Sequence, residues 1–354
     1  MRERGACGDA WCPHGAREGV GGSGLAVEGR GTARRTRPDG GGAGRPVSPL
    51  RLRVLLEPRF GATYAQLVEW ATRCEGAGLD AFFRSDHYLG TDRENRDYRP
   101  TDAWTTLGGL ARATSRIRLG TLMTASTFRL PGPLAMAVAS VDQMSEGRIE
   151  LGIGAAWNER EHEAYGIPFF PTGERFDRLE EQLAILTGLW TGTQGTPFSF
   201  EGRHFQLRGA TAFPAVVQRP HPPIVIGGSG PRRTPLLAAR YAAEFNVAFG
   251  IGRAEGIANF HKVCGEVGRD PASVRLSTVV PLCLAPTKAA AEALAAPLEL
   301  DRLLSLGVVG TPDELVEHLA GLAALGIDTV YFHCFDAAAI DQVDLLGAEV
   351  LGRA

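Results

Sequence analysis

The sequence predicts a (β/α)8 TIM barrel, because three features of the chain point to one closed parallel sheet. Short apolar runs alternate regularly with amphipathic segments from Leu52 onward, and we count eight such runs. Polar or glycine-rich groups follow several of the runs directly, which is typical of the carboxyl ends of barrel strands. A doubly wound sheet is the alternative, but no G-x-G-x-x-G sequence opens the first strand–helix turn.

The predicted strands are short apolar runs, as expected of buried parallel strands. They lie at 52–57, 80–84, 117–121, 149–154, 224–226, 244–248, 275–280 and 329–332. Helices are predicted at 64–77, 103–114, 133–144, 174–190, 232–242, 255–268, 288–304, 313–325 and 338–351, where apolar residues recur with helical spacing. Residues 193–220 break this rhythm, and 198–207 predict a short inserted hairpin that turns at Glu201-Gly202 near the barrel mouth.

The first 48 residues differ from the rest of the chain. They contain 13 glycines and almost no aliphatic periodicity, so they bury too little apolar area to offset the entropy lost on ordering. We therefore predict a disordered extension at 1–48 and one barrel domain at 49–354. A further hypothesis is that Val47 is the true start of the chain.

Composition narrows the classes of partner and the cellular location. The net charge of −3 gives no global field that favours nucleic acid or an anionic membrane. No run of 18 apolar residues is present, so we expect no membrane association. Six scattered cysteines predict a reducing cytoplasm, and the set Cys7, Cys12 and His14 lacks a fourth metal ligand, so no metal site is predicted.

The second predicted strand ends in Asp86 and His87, which are the strongest catalytic candidates. Histidine titrates near neutrality and suits a general acid or base, although this one could merely pin a loop. Asp86 either orients His87 or caps the following segment. Glu57 follows the first strand, where burial without a purpose is costly, yet it could simply pair with Arg59 or Arg84.

The fifth predicted strand ends in a glycine-rich turn that leads into a helix. This turn consists of Gly227, Gly228, Ser229 and Gly230, with Arg232 and Arg233 directly behind it. Backbone N–H groups at a helix N-terminus, together with arginine, suit a phosphate or a polyanionic tail. A plain tight turn is the alternative.

The fourth predicted strand runs into Trp157 and Asn158. An indole at a barrel mouth can wall a planar ring, or it can plug the barrel. We therefore treat both residues as candidate neighbours of a cofactor ring or of a substrate.

Together these strings resemble the bacterial luciferase-like superfamily of flavin and deazaflavin barrels, over residues 52–353. The resemblance rests on ordered motifs, among them F-F-R-S-D-H-Y-L (82–89), S-R-I-R-L-G-T (115–121), G-R-I-E-L-G-I-G-A (147–155) and G-G-S-G-P-R-R-T (227–234). The pattern is most similar to probable coenzyme F420-dependent oxidoreductases.

The resemblance implies where a cofactor lies. Asp86 and His87 are expected against the cofactor ring, and the glycine turn at the phosphate side of its tail. The end of strand three is expected to hold a bulge with a non-prolyl cis peptide, hypothesised at Leu122–Met123. The resemblance implies that Leu122, Met123, Thr124 and Ala125 at that strand end contact the cofactor ring.

Two departures from the family's sugar-phosphate dehydrogenases argue against oxidation of glucose 6-phosphate. Those enzymes carry a tryptophan shortly after S-D-H, where this chain has Tyr88-Leu89-Gly90-Thr91. They also place a glutamate acid after strand four, where this chain has Trp157. Only His87 of that acid–base set is present, which leaves its proton-transfer partner open.

The resemblance implies a cytoplasmic oxidoreductase that moves a hydride between coenzyme F420 and a small organic substrate. A monooxygenase that uses reduced FMN is the first alternative, and a flavin- or deazaflavin-binding protein without turnover is the second. A homodimer and a separate cofactor-reducing enzyme are expected as partners, by analogy with the superfamily.

Overall fold

The computed structural model describes residues 49–89, 99–193, 196–211, 214–247 and 252–354. The extension predicted at 1–48 lies outside these residues, as do Val47, Cys7, Cys12 and His14. All described residues belong to one compact unit, Pro46–Ala354.

Eight parallel strands close into a barrel, which confirms the predicted fold class. Around the barrel the order is β1, β2, β3, β4, β7, β8, β9 and β11, and β11 pairs again with β1. The inserted hairpin forms a separate two-stranded sheet of β5 and β6, as predicted, and β10 pairs with the far end of β9. The strands are β1 (Arg51–Leu56), β2 (Ala81–Arg84), β3 (Arg118–Ala125), β4 (Ile149–Gly154), β5 (Phe198–Glu201), β6 (Gln206–Ala210), β7 (Ile224–Gly228), β8 (Glu244–Val247), β9 (Arg275–Leu284), β10 (Val308–Gly310) and β11 (Thr329–Cys334).

Helices surround the barrel and begin and end at recognisable local signals. The first starts at a capping box in which Thr63 and Gln66 satisfy each other's backbone N–H groups, and it ends at Gly78 in the left-handed conformation. The helices are α1 (Tyr64–Ala77), α2 (Ala103–Ala113), α3 (Pro131–Met144), α4 (Glu159–Ala164), α5 (Thr172–Thr191), α6 (Arg233–Tyr241), α7 (Arg253–Val267), α8 (Lys288–Ala295), α9 (Asp301–Leu304), α10 (Pro312–Ala324) and α11 (Gln342–Leu345).

Two of the predicted helices are wrong in extent. The helix predicted at 288–304 is interrupted, because Pro297 has no N–H to donate and α8 ends before it. The last predicted helix, 338–351, is shortened to α11 followed by a π-helical turn at Leu346–Val350. Neither α4 nor β10 was predicted from the sequence. In the part of the chain that is described, no helix has both the length and the apolar character to span a bilayer.

The interior of the barrel is closed at its amino-terminal end by buried charges. The guanidinium of Arg53 donates to Glu150 at 2.9 Å and to Tyr331 at 2.8 Å, and the Tyr331 hydroxyl donates to Glu244 at 2.7 Å. All four side chains are buried. Above them, towards the carboxyl ends of the strands, lies a small apolar layer. That layer consists of Leu55, Ala81, Phe83, Leu122, Val225 and Val279, and the Tyr331 ring packs against Phe83 at its lower side.

Candidate active site

A cavity of about 1010 Å³ opens at the carboxyl ends of the barrel strands. This mouth cavity has the size and the mixed polar and apolar lining of a cofactor or substrate site. Strand ends supply most of its wall, and residues of α4, α5 and α6 and of the region around α9 supply the rest. The lining includes Leu55, Glu57, Arg59, Phe60, Ser85, His87, Leu122, Met123, Thr124, Ala125, Ala155, Trp157, Glu161, Thr172, Arg175, Phe176, Gly227, Gly228, Ser229, Gly230, Thr234, Asn246, Val279, Glu299, Leu300, Leu303 and His333.

The end of β3 carries the predicted backbone irregularity. The Leu122–Met123 peptide is cis, and the pairing of β3 with β4 shifts between Thr121 and Thr124. The hypothesis of a non-prolyl cis peptide in a bulge is therefore confirmed. The four residues Leu122 to Ala125 all line the cavity.

His87 lines the cavity and is held by a carboxylate that the sequence analysis did not single out. Its Nδ1 lies 3.0 Å from Glu161 Oε1 and 3.2 Å from Oε2. Glu161, in the first turn of α4, is 1% exposed and also accepts the backbone N–H of Tyr88 at 3.1 Å. The Glu161 carboxylate orients the ring and leaves Nε2 as the nitrogen that can exchange a proton with a ligand.

Asp86 is placed differently from its neighbour. Its carboxylate is buried, forms an ion pair with Arg129 at 2.6 Å and accepts the Thr124 hydroxyl at 2.9 Å. It is not among the residues that line the cavity. Glu161, and not Asp86, orients the His87 ring. Asp86 instead holds the end of β3 through Thr124, on the side that faces away from the cavity.

Glu57 lies at the end of β1 in a compact polar cluster. Ser85 donates a short hydrogen bond to Oε1, while Arg59 Nη2 and His333 Nε2 lie 3.5 and 3.4 Å from Oε2. Burial alone would raise the pKa of Glu57, but the charge of Arg59 and the nearby imidazole of His333 lower it to about 2. Glu57 therefore stays ionised and is a poor proton donor.

Trp157 lies at the cavity rim rather than inside the barrel. Its side chain is 57% exposed, and its ring meets the ring of His87 edge-on with centroids 5.3 Å apart. This position indicates that the indole of Trp157 lines the cavity and does not fill the barrel interior. Asn158 is buried, donates to the Leu89 carbonyl at 3.0 Å and is not among the cavity-lining residues.

The glycine turn lies between the first turns of two helices. Gly227 to Gly230 line the cavity, and so do Thr234 at the start of α6 and Thr172 at the start of α5. Two helix N-termini and exposed backbone N–H groups favour an anion at this end of the cavity.

The two predicted arginines, Arg232 and Arg233, do not line this end of the cavity. Arg232 is exposed and does not line the cavity, and Arg233 is engaged by Asp177 at 2.5 Å. Arg175 of α5 lines the cavity instead, and its buried Nε has no hydrogen-bond partner.

Comparison with known proteins identifies the family. A family model described as luciferase-like monooxygenase matches residues 50–303. The chain belongs to the luciferase-like monooxygenase family. The resemblance stated from the sequence is thereby confirmed.

This luciferase-like chain has curated relatives that align along most of its length. It is 29% identical over 322 residues to the F420-dependent glucose-6-phosphate dehydrogenase of Microbacterium testaceum, covering 81% of this chain and 93% of the relative. It is 30% identical over 322 residues to the protein of the same name from Beutenbergia cavernae, covering 81% and 92%.

Solved structures of low identity share the fold of the luciferase-like chain. An F420-dependent secondary alcohol dehydrogenase, in complex with an F420-acetone adduct, is 19% identical with a TM-score of 0.74, covering 87% of this chain and 100% of that one. Monooxygenase RslO1 from Streptomyces bottropensis is 20% identical with a TM-score of 0.71, covering 86% and 99%. Both reaction classes therefore occur on this fold.

Sequence reasoning missed several residues of this luciferase-like site. Glu161 was not predicted because it lies in α4, beyond the residues that directly follow β4. One signal was present, since the acidic run Glu159-Arg160-Glu161 follows that strand end and starts a helix. Arg175 and Thr234 carried no such signal, because they lie within helices whose N-termini turn towards the cavity only in the folded barrel.

Proposed function

We propose that this protein is an oxidoreductase that transfers a hydride between coenzyme F420 and a small organic substrate. The observation that carries the proposal is the His87–Glu161 pair, which holds an imidazole in the wall of a cavity whose other end suits an anion. The curated relatives add support, because two of them are named F420-dependent and align over 81% of this chain.

The residues of the cavity fit a cofactor with a planar ring and a phosphate-bearing tail. Gly227 and Gly230 allow close packing of the turn, since a Cβ would lie 2.4 Å from Met123 Cε at the first position and 2.9 Å from Thr234 Oγ1 at the second. Ser229, Thr234 and Arg175 can donate to phosphate oxygens. The β3 end and Trp157 supply surfaces that can back a ring.

In this proposal the cofactor transfers the hydride and the protein transfers the proton. The bound coenzyme supplies a ring that accepts or donates a hydride as a two-electron carrier. His87 Nε2 takes the proton of the substrate hydroxyl in the oxidative direction and returns it in the reductive direction. Glu161 keeps the ring oriented and stabilises the imidazolium that forms.

Glu57, with its low pKa, stays a polar partner rather than a proton donor in this proposal. The predicted contacts of Asp86 and Asn158 are indirect, since both are buried behind the cavity wall. Glucose 6-phosphate is not proposed as the substrate. The homodimer, the separate cofactor-reducing enzyme and the cytoplasmic location remain predictions.

A substrate screen with reduced F420 and the His87→Ala variant tests the proposal. Wild-type protein is expected to oxidise reduced F420 in the presence of some ketones or aldehydes. His87→Ala should lose about 10²- to 10⁴-fold in turnover and retain F420 affinity, because general acid–base groups contribute about that factor. The exposed His261→Ala is the matched control and should keep wild-type turnover.

The alternatives give different results. A protein that binds F420 but turns over no compound in the screen, and whose F420 affinity is unchanged by His87→Ala, is a cofactor-binding protein. Oxygen-dependent turnover with reduced FMN identifies the monooxygenase.

A further inference from the structure

The cavity wall formed by the ends of β1, β2 and β11 contains buried polar atoms that make no hydrogen bond to any residue that the structure describes. This oxygen wall consists of Glu57, Arg59, Ser85 and His333. Nε and Nη1 of Arg59 are buried without a hydrogen-bond partner, and neither ring nitrogen of His333 makes a hydrogen bond of good geometry. Buried donors without partners are rare in folded proteins and usually indicate a missing ligand or water.

The oxygen wall lies across the mouth from the glycine turn. In the eight-strand order, β1 and β7 are four strands apart, so their carboxyl ends face each other over the cavity. An anionic tail at the end of β7 leaves the β1 side to the second reactant. His87 lines the same side through β2, the neighbour of β1.

The charges of the oxygen wall cancel. The guanidinium of Arg59 faces the ionised Glu57 carboxylate, and burial lowers the pKa of His333, so that its imidazole is neutral at neutral pH. A wall without net charge suits the oxygen of an uncharged carbonyl or hydroxyl group. It suits a phosphate dianion less well, because it cannot replace the water that the dianion loses on binding. Lysine is absent from the described residues that line the cavity.

Apolar side chains continue the wall beyond its polar atoms. Phe60, Leu300 and Leu303 line the cavity and pack in one apolar cluster with Phe335, whose ring centroid lies 4.1 Å from that of His333. The Arg59 guanidinium carbon lies 5.0 Å from the centroid of the Phe60 ring. A ligand here therefore meets donors at one point and hydrocarbon around them.

We propose that Arg59 and His333 select an uncharged substrate in which a carbonyl or hydroxyl oxygen is attached to an apolar body, and that they discriminate against phosphate esters. This inference rests on the proposed function, because it assigns the oxygen wall to the second reactant. Arg59 is thereby a specificity-determining residue, and His87 keeps the proton transfer.

Calorimetric titration with a matched series of probes tests the inference. Cyclohexanone, cyclohexanol, cyclohexanecarboxylate and cyclohexyl phosphate share one apolar body and differ in the charge of their oxygens. The full-length protein, with and without F420, should bind the ketone and the alcohol about tenfold or more tightly than the phosphate ester. Tightest binding of the phosphate ester, or no binding of any probe at its solubility limit, overturns the substrate class.

Substitution of Arg59 tests the residue itself. Arg59→Gln should weaken cyclohexanone binding about tenfold or more through loss of a charged donor, and Arg59→Lys should bind with intermediate affinity. Arg51→Gln is the matched control, because Arg51 is exposed at the opposite end of β1. An unchanged Kd in Arg59→Gln refutes the role of Arg59.

F420 affinity separates this inference from the proposed function. Arg59→Gln should bind F420 as tightly as the wild type, which also shows that the variant is folded. Failure of the wild type to bind F420, with the probe selectivity intact, refutes the proposed cofactor and leaves the oxygen wall standing. Normal F420 binding without probe selectivity refutes the inference alone.

Discussion

Replacement of Glu161 by glutamine tests whether this carboxylate positions His87 for proton transfer. The substitution keeps the size of the side chain and removes its negative charge. In the wild type, both carboxylate oxygens lie within 3.2 Å of His87 Nδ1, and Glu161 is 1% exposed, so solvent screens the interaction little.

The expected loss follows from the strength of the bond that changes. A hydrogen bond to a charged group contributes about 1.5–3 kcal/mol and a neutral bond about 0.5–1.5 kcal/mol, so the substitution removes about 1–2 kcal/mol from the imidazolium state. This difference corresponds to about a five- to thirtyfold decrease in kcat. F420 affinity should not change, because Glu161 lies on the proton-transfer side of the cavity.

The assay is single-turnover oxidation of reduced F420 with a carbonyl substrate from the screen, together with a calorimetric F420 titration. Glu163→Gln is the matched control, since Glu163 is exposed on the same helix, α4. A wild-type rate in Glu161→Gln would refute the positioning role. An equal decrease in Glu163→Gln would show that the rate responds to the general charge of α4.

Three further predictions concern the stability of the barrel and the glycine turn. Arg53→Met should lower the free energy of unfolding by about 3–5 kcal/mol in urea titrations, because Glu150 and Glu244 lose their buried partner; an unchanged midpoint would contradict this. Gly227→Ala should lower it by about 1–3 kcal/mol and weaken F420 binding, because the new Cβ would lie 2.8 Å from the Asn246 carbonyl oxygen, which is backbone. Glu57→Gln should be less stable than the wild type at pH 7 by on the order of 3 kcal/mol, because the pKa of Glu57 falls from 4.5 to about 2 on folding. That stabilisation is complete above the unfolded-state pKa and is lost as the pH falls from about 5 to about 2, so paired urea titrations should converge over this range.

The barrel was predictable because its strands are buried on both faces and read as apolar runs. Residues 149–154 and 64–77 were predicted with the boundaries that the structure shows, since a glycine ends each of these regions or follows it directly. The helix predicted at 288–304 was wrong in extent. Its apolar spacing continues through Pro297, but the proline cannot donate the backbone hydrogen bond that a continuous helix requires.

Without the family resemblance, the candidate site was most predictable where a side chain directly follows a strand. His87, Glu57 and the glycine turn meet this condition and line the cavity. Glu161 and Arg175 reach the cavity from helices, and their positions depend on how those helices pack. Arg233 follows the glycine turn in sequence, but its guanidinium points to Asp177 of α5, a tertiary contact that the spacing does not reveal.

A paired calorimetric titration of the full chain with coenzyme F420 and with FMN tests the central claim most directly. Hydride transfer to or from a deazaflavin predicts F420 binding in the micromolar range or tighter, and FMN binding about tenfold or more weaker. Tighter binding of FMN would contradict the claim and support the monooxygenase. Binding of neither would leave the barrel intact and refute the assignment of the mouth cavity to this cofactor class.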